Sequence, residues 1–328
     1  MKSDEEKLRE LFEMKEKPAF NNTIKRAKVL SIIRNIIVST MMLIIVSFIV
    51  LLSNASILNK MSNEKEIGLR NWFKIAMPNG YFGNIQVDDG VMTGEIDYVR
   101  YRFLGSKPVA DGSYREGYTY VPLINGFYGD IGDYIAKDLQ EETEYNKAGK
   151  RIMKFYHPSI KYKSYINDLN NLNGIDNSKL MEMSLSFDRA YSLDEVRNMI
   201  PEGITLNWYW VDTFTADTLT EHGKYKPDEL FFGEYDVYGI KALDGQGVSI
   251  SNPEKNFIDT ITMGKEKKGN SPIYQSLFNT LSNGKGKINK DDLKIIGVVV
   301  SGNVEALKAL KDQNYIKAAT IGAVADKY

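Results

Sequence analysis

The sequence predicts an α+β protein. A single membrane-spanning helix is followed by a small antiparallel β unit and then by a ferredoxin-like βαββαβ domain carrying a long insertion. Three observations lead to this. Residues 35–52 form an uncharged apolar run, NIIVSTMMLIIVSFIVLL. A Gly- and Tyr-rich stretch with strand-like alternation follows it. A strand–helix–strand pattern then occurs twice, about 80 residues apart.

The apolar run is taken first. At about 1.5 Å per residue it reaches roughly 27 Å, close to the hydrocarbon thickness of a bilayer. Its few polar residues are mild, and Ser or Thr can bond back to the helix backbone. Lys25, Arg26, Lys28 and Arg34 precede it, whereas only Lys60 closely follows. By the positive-inside rule the N-terminus is cytoplasmic and the bulk of the chain is extracellular. Two other readings compete. Ser53-Asn54-Ala55 could serve as a signal-peptide cleavage site, but the leader would be far longer than usual. A buried core helix would show one polar face, and this run is apolar all round.

Before the run lies a tail, residues 1–34. Ser3-Asp-Glu-Glu6 is a capping-box pattern, and Leu8, Leu11 and Phe12 fall at i, i+3 and i+4 on one helical face. Acidic residues crowd the first turn, as the helix dipole prefers. Pro18 is expected to stop this helix. So short a helix cannot bury its stripe alone. It either docks into a groove on a cytoplasmic partner, with Leu8, Leu11 and Phe12 as contacts, or stays solvated or on the inner leaflet.

After the membrane segment (35–58), residues 59–170 read as a β-rich domain. Gly94 to Phe103 alternates, with a register left open by a bulge, and Asp89-Gly90 and Asp111-Gly112 are turn signals. Phe127 to Arg151 reads as a connector that includes one helix. Residues 171–328 hold the repeated unit. Met181 to Phe187 alternates like a half-buried strand, Ser192-Leu-Asp-Glu195 is a capping box opening a helix, and Thr205 to Val211 is strongly β-prone. Later, Ile295 to Val300 is a continuous apolar strand, Asn303-Val-Glu-Ala opens a helix, and Ala318 to Val324 closes. The two units form either one sheet with right-handed crossovers or two separate sheets. The insertion, about Thr213 to Leu293, would decorate the sheet edge.

Composition limits the chemistry. The chain has 328 residues, 26 % of them charged and 43 % hydrophobic, with a formal net charge of -1. That is a globular balance with no basic field for nucleic acid, so no direct nucleic-acid binding is expected. Cysteine is absent and histidine occurs only at His157 and His222. Disulfides, thiolate zinc sites and thiol nucleophiles are thereby excluded. No nucleophile elbow, P-loop, HExxH or dinucleotide fingerprint is present. Asn283 to Asp292 superficially suggests a calcium loop, but Leu281 and Lys285 would occupy ligand positions. No enzyme activity, cofactor or metal is expected. Trp208 and Trp210 share one strand face. They read as packing, or alternatively as a candidate exterior binding surface.

The run Leu185-Ser-Phe-Asp-Arg-Ala-Tyr-Ser-Leu-Asp-Glu-Val196, with Ile204 to Thr213 and the ending Ile296 to Gly302 and Ala318 to Val324, resembles the sigma factor regulator C-terminal domain. The membrane span with Ala76 to Gly80 and Tyr98 to Phe103 resembles the matching N-terminal domain. Such domains occur in membrane-anchored anti-sigma factors of ECF-type sigma factors in Bacillus-like bacteria. The resemblance implies that the tail sequesters an ECF-type sigma factor while the exterior part senses the envelope. The tail is too short for a full helical anti-sigma domain, and a Cys-free chain has no zinc-type one. It would therefore act as one clamp helix or need a small membrane co-regulator. The alternative is a membrane-anchored exterior module that binds a ligand or protein and has no sigma partner.

Overall fold

The computed structural model describes residues 3–13, 18–122, 136–138, 143–224, 231–266 and 272–327. It divides into two compact units, Met1–Lys60 and Met61–Tyr328.

Helix α1, Asp4–Glu13, opens where the Ser3 carbonyl accepts hydrogen bonds from the Glu6 and Lys7 amides at 3.0 and 3.2 Å. The stretch just before Pro18, where the sequence predicts that α1 stops, lies outside the described residues. Pro18 is the first residue of helix α2, Pro18–Ile75, where its missing N–H costs nothing and its fixed φ suits the first turn. The apolar run lies in this helix. Its most apolar 18-residue window has mean hydropathy 2.8 and no buried residue, which fits a single-pass membrane anchor.

In the unit Met61–Tyr328, α2 ends at a turn and the chain enters a three-stranded antiparallel meander. Its strands are β1 (Tyr81–Asp89), β2 (Thr93–Leu104) and β3 (Lys107–Thr119), in spatial order 1-2-3. Asp89-Gly90 makes the expected turn between β1 and β2. Asp111-Gly112 does not make a turn. The pairing slips between Arg100–Gly112 and Tyr101–Ala110, so Asp111 is the extra residue of a β-bulge. Gly112 has φ +116, which a glycine tolerates and an L side chain resists. Along β2 the alternation holds from Gly94 to Arg102 with no break between Ile96 and Tyr98.

A short hairpin, β4 (Ala136–Asp138) and β5 (Thr143–Tyr145), stands where a connector helix was expected; the rest of residues 127–142 lies outside the described residues. Strand β6 (Lys154–Phe155) follows. Then come β7 (Leu180–Tyr191), α3 (Leu193–Met199) and β8 (Thr205–Val211). The Ser192 capping box is formed as predicted, with the hydroxyl accepting from the Glu195 amide and the Glu195 carboxylate from the Ser192 amide. The insertion holds α4 (Ala216–Lys224), β9 (Phe232–Gly233), β10 (Gly239–Lys241), α5 (Pro253–Glu266) and α6 (Pro272–Ser282). Strand β11 (Ile295–Asn303), helix α7 (Val304–Leu307) and β12 (Ile316–Ala325) close the chain.

The two strand–helix–strand units share one antiparallel sheet, in the order β10-β8-β11-β7-β12. The two-sheet alternative is thereby ruled out. Strand β11 is central, and a central strand covered on both faces must be apolar throughout, which accounts for the run IIGVVV. Ile240, Tyr209, Val298, Leu185 and Ala319 align in register across all five strands and face one core. Phe257 and Ile261 of α5 and Leu277 and Phe278 of α6 cover that core. The insertion therefore adds an edge strand and also roofs a face.

Strand β7 differs from its half-buried expectation. Its polar positions Glu182, Ser184 and Ser186 are as buried as its apolar ones. They are satisfied by protein instead of water: Ser184 Oγ donates to the Lys154 carbonyl at 2.8 Å, and Ser186 Oγ accepts from the Tyr156 amide at 2.9 Å.

A Cβ on Gly239 would collide with the Tyr209 carbonyl and the Trp208 indole across the β10–β8 pair. Because one of these is backbone, relief requires moving the strand. Gly239→Ala should lower unfolding free energy by about 2–4 kcal/mol, read from the urea midpoint.

Candidate functional site

The inward positions of β2 carry Ile96, Tyr98, Arg100 and Arg102 in strict alternation. Two guanidinium groups therefore enter the interior, where each needs a counter-charge. The β3 bulge supplies the first. Asp111 Oδ2 accepts from Arg100 Nε at 2.6 Å and lies 2.8 Å from Arg102 Nε without the alignment of a hydrogen bond. Asp111 Oδ1 also accepts from Asn146 Nδ2 at 2.6 Å. Burial opposes ionisation of Asp111, but Arg102 and Arg100 overcome it and hold the carboxyl below its ordinary range.

Arg102 then reaches the five-stranded sheet. Its Nη1 donates to Glu182 Oε1 of β7 at 2.9 Å and to Glu234 Oε1 at 3.1 Å, and its Nη2 donates to Glu234 Oε2 at 2.6 Å. The Glu234 pair is the bidentate fork that a planar guanidinium makes and an ammonium does not. Each carboxylate is further engaged: Glu234 Oε1 accepts from the Met153 amide at 2.8 Å, and Glu182 Oε1 from the Ala323 amide at 3.0 Å. Desolvation pushes the Glu182 carboxyl up while Arg102 pulls it down, and the net direction is up. The Arg102 guanidinium, despite burial, is held charged by Asp111, Glu182 and Glu234.

A neutral chain of hydrogen bonds runs beside the ionic one. Asn79, in the turn after α2, donates to Glu182 Oε2 at 2.6 Å and to the Phe103 carbonyl at 2.9 Å. Asn207 of β8 donates to Asn79 Oδ1 at 3.1 Å and accepts from Ser301 Oγ of β11 at 2.7 Å. The meander, the turn after α2 and the sheet are thus joined by side chains far apart in sequence. With every charge sealed from solvent, this junction positions elements and offers no open coordination or reaction site.

Trp208 and Trp210 are fully buried, so neither forms an exterior binding surface. They pack around Phe155, at ring-centroid distances of 6.0 and 5.3 Å, in a second core on the sheet face opposite α5 and α6. Both indole N–H groups lack a hydrogen-bond partner among the described residues. His157 is buried, its Nε2 3.3 Å from Asp212 Oδ1, and His222 lies within α4 and not in a turn, stacked on Phe232 at 4.5 Å. Among the described residues no group of His, Cys, Asp and Glu could hold a metal ion. On α1, Leu8 is 54 % exposed, while the Leu11 and Phe12 side chains lie outside the described residues.

Residues 21–109 match the model of the sigma factor regulator N-terminal domain, and residues 172–323 match that of the sigma factor regulator C-terminal domain. This chain belongs to the sigma factor regulator family. The first match takes in the apolar helix and the Arg100–Arg102 strand, and the second takes in Glu182, Glu234 and Lys241. The junction therefore links the family's two named segments. No match was found among curated proteins or among solved structures. The family is a regulatory one, consistent with transcription regulation by an anti-sigma factor.

In this sigma factor regulator, Arg102→Leu leaves three carboxylates without their shared counter-charge. The loss should be about 3–5 kcal/mol of unfolding free energy. Replacing Arg102, Glu182 and Glu234 together by Leu should recover most of it, since no charge is then left buried and unpaired. Urea unfolding of the two variants beside wild type measures both.

Proposed function

We propose that this chain is a transmembrane anti-sigma factor whose N-terminus is cytoplasmic and whose Met61–Tyr328 unit is extracellular. The tail sequesters an ECF-type sigma factor, and the outer unit receives an envelope signal. The observation that carries this reading is that the two regulator matches take in both the membrane-compatible helix and the folded unit after it. The Lys/Arg excess before the apolar run supports the orientation.

Leu8, Leu11 and Phe12 of α1 are the proposed contacts with the sigma factor. Burying three such side chains contributes roughly 4–8 kcal/mol before the cost of ordering the tail. That amount suits a reversible clamp, and a small membrane co-regulator could supplement it. The folded unit divides into a β-rich part over 59–170 and a part over 171–328 that we read as ferredoxin-like. The interleaved order β12-β7-β11-β8 of two strand–helix–strand units supports that reading. A membrane-anchored extracytoplasmic module with no sigma partner is the second reading.

The test is a two-hybrid screen of residues 1–34 against the genome's ECF sigma factors, paired with a reporter for the sigma factor captured. Leu11→Asp should abolish capture and raise reporter expression at least tenfold, as deletion of residues 1–17 should. Capture of no sigma factor favours the second reading.

A further inference from the structure

Beside the junction lies a cavity of about 480 Å³, within the range of small-molecule sites. Phe73, Phe82 and Phe257 wall it, from α2, β1 and α5 respectively, and its cations are Arg70, Lys74 and Lys241. One acidic side chain lines it, Asp244, and that carboxylate is occupied in its own turn, accepting from the Gln246 and Val248 amides at 2.9 Å each. Arg70 is paired with Glu66 and lies over the Phe82 ring; Lys74 is exposed.

Lys241 differs from the other two. It is mostly buried, and its ammonium donates to the carbonyls of Met77 and Gly80 at 3.1 and 2.5 Å and sits 4.3 Å from the centre of the Tyr81 ring. Two of its three protons are thus used by carbonyls. The backbone it holds is strained: Met77 and Asn79 have φ of 58° and 50°, a region that L side chains avoid. Among the described residues no carboxylate pairs with Lys241. Desolvation, then the like charges of Arg102 and Arg100, push its pKa down to about 7. The groups facing it are Arg100 and Arg102 of β2, Arg70 and Lys74 of α2, Tyr81 of β1, and Asp244 after β10; α5 contributes only the neutral Asn256 and apolar side chains.

A mostly buried cation with no counter-ion, at an aromatic-walled opening with two further cations, lacks an anion. We infer that this cavity binds a small amphipathic anion, whose carboxylate or phosphate head is taken by Lys241 with Arg70 and Lys74, and whose apolar body packs on Phe73, Phe82 and Phe257. Binding is a property of the folded unit and is independent of whether the tail captures a sigma factor.

The experiment is calorimetry on the full chain in nanodiscs of zwitterionic lipid. The probes are 4-phenylbutyrate, phenyl phosphate, inorganic phosphate and the neutral 4-phenylbutan-1-ol. The carboxylate or the phosphate probe should bind, and which is tighter identifies the head group. The alcohol and inorganic phosphate should bind at least tenfold more weakly. Lys241→Met should weaken binding at least tenfold. Should that variant fail to fold by circular dichroism, the surface pair Arg70→Gln with Lys74→Gln decides, with an expected loss of about three- to tenfold. Between pH 6.0 and 8.5 Lys241 loses its charge, so 4-phenylbutyrate affinity should fall roughly 10- to 30-fold. Without ligand the sign is opposite. The depressed pKa means the unfolded chain binds more protons between pH 7 and 10, so stability should rise with pH across that window, and Lys241→Met should flatten the rise. Equal binding of the alcohol, unchanged affinity in the charge variants, or no binding of either aryl anion at millimolar concentration overturns the inference.

Discussion

The folded unit depends on one buried cation, the guanidinium of Arg102. Removed from water, it can remain charged only with carboxylates arranged around it, and those come from three places: Asp111 in the bulge of β3, Glu182 on β7 and Glu234 in the insertion. The three lie far apart in sequence. The requirement therefore ties the meander to the sheet, and it explains features that look like local faults. The bulge at Asp111-Gly112 turns a carboxylate inward, and the strained turn at Met77 to Asn79 sets an amide against Glu182 and Phe103. Such a network is a weak source of net stability, because desolvation offsets much of its Coulomb gain, but breaking it by removing one partner is costly.

The sequence shows some of this and hides the rest, for physical reasons. Local signals read well. The Ser192 capping box, the apolar helix and the central strand IIGVVV follow from period, capping and burial, each set by near neighbours in sequence. The two-unit pattern was visible, but whether the units share a sheet depends on long-range pairing that no window contains. Proline is compatible with a helix's first turn as well as with its end, so Pro18, the first residue of α2, does not by itself say on which side a helix lies. Glu182, Ser184 and Ser186 suggested a solvent face because polarity alone does not tell water from protein partners.

The junction itself left one legible trace. Arg100 and Arg102 share the phase of Ile96 and Tyr98 in β2, and two arginines on an apolar face imply buried acids elsewhere. Their identity was not legible, since Glu182 and Glu234 lie 80 and 132 residues away. Trp208 and Trp210 show the converse. Aromatic residues in a strand are conspicuous, yet they serve the core, and the charged cavity at Lys241 is formed by residues from α2, β1, the turn after β10 and α5.

In a regulator, a folded unit built in this way would respond as one body, because Asn79 is hydrogen-bonded to residues of both sheets. The most direct test of that cooperativity is native-state hydrogen exchange on the wild-type full chain in nanodiscs, followed by mass spectrometry across a urea series below the unfolding midpoint. The amides of β2, Thr93–Leu104, and of β7, Leu180–Tyr191, should converge on a single opening free energy and a single urea dependence. Opening of β2 at markedly lower free energy than β7, with its own urea dependence, would mean that the meander unfolds alone and that the ionic junction does not bind the two sheets together.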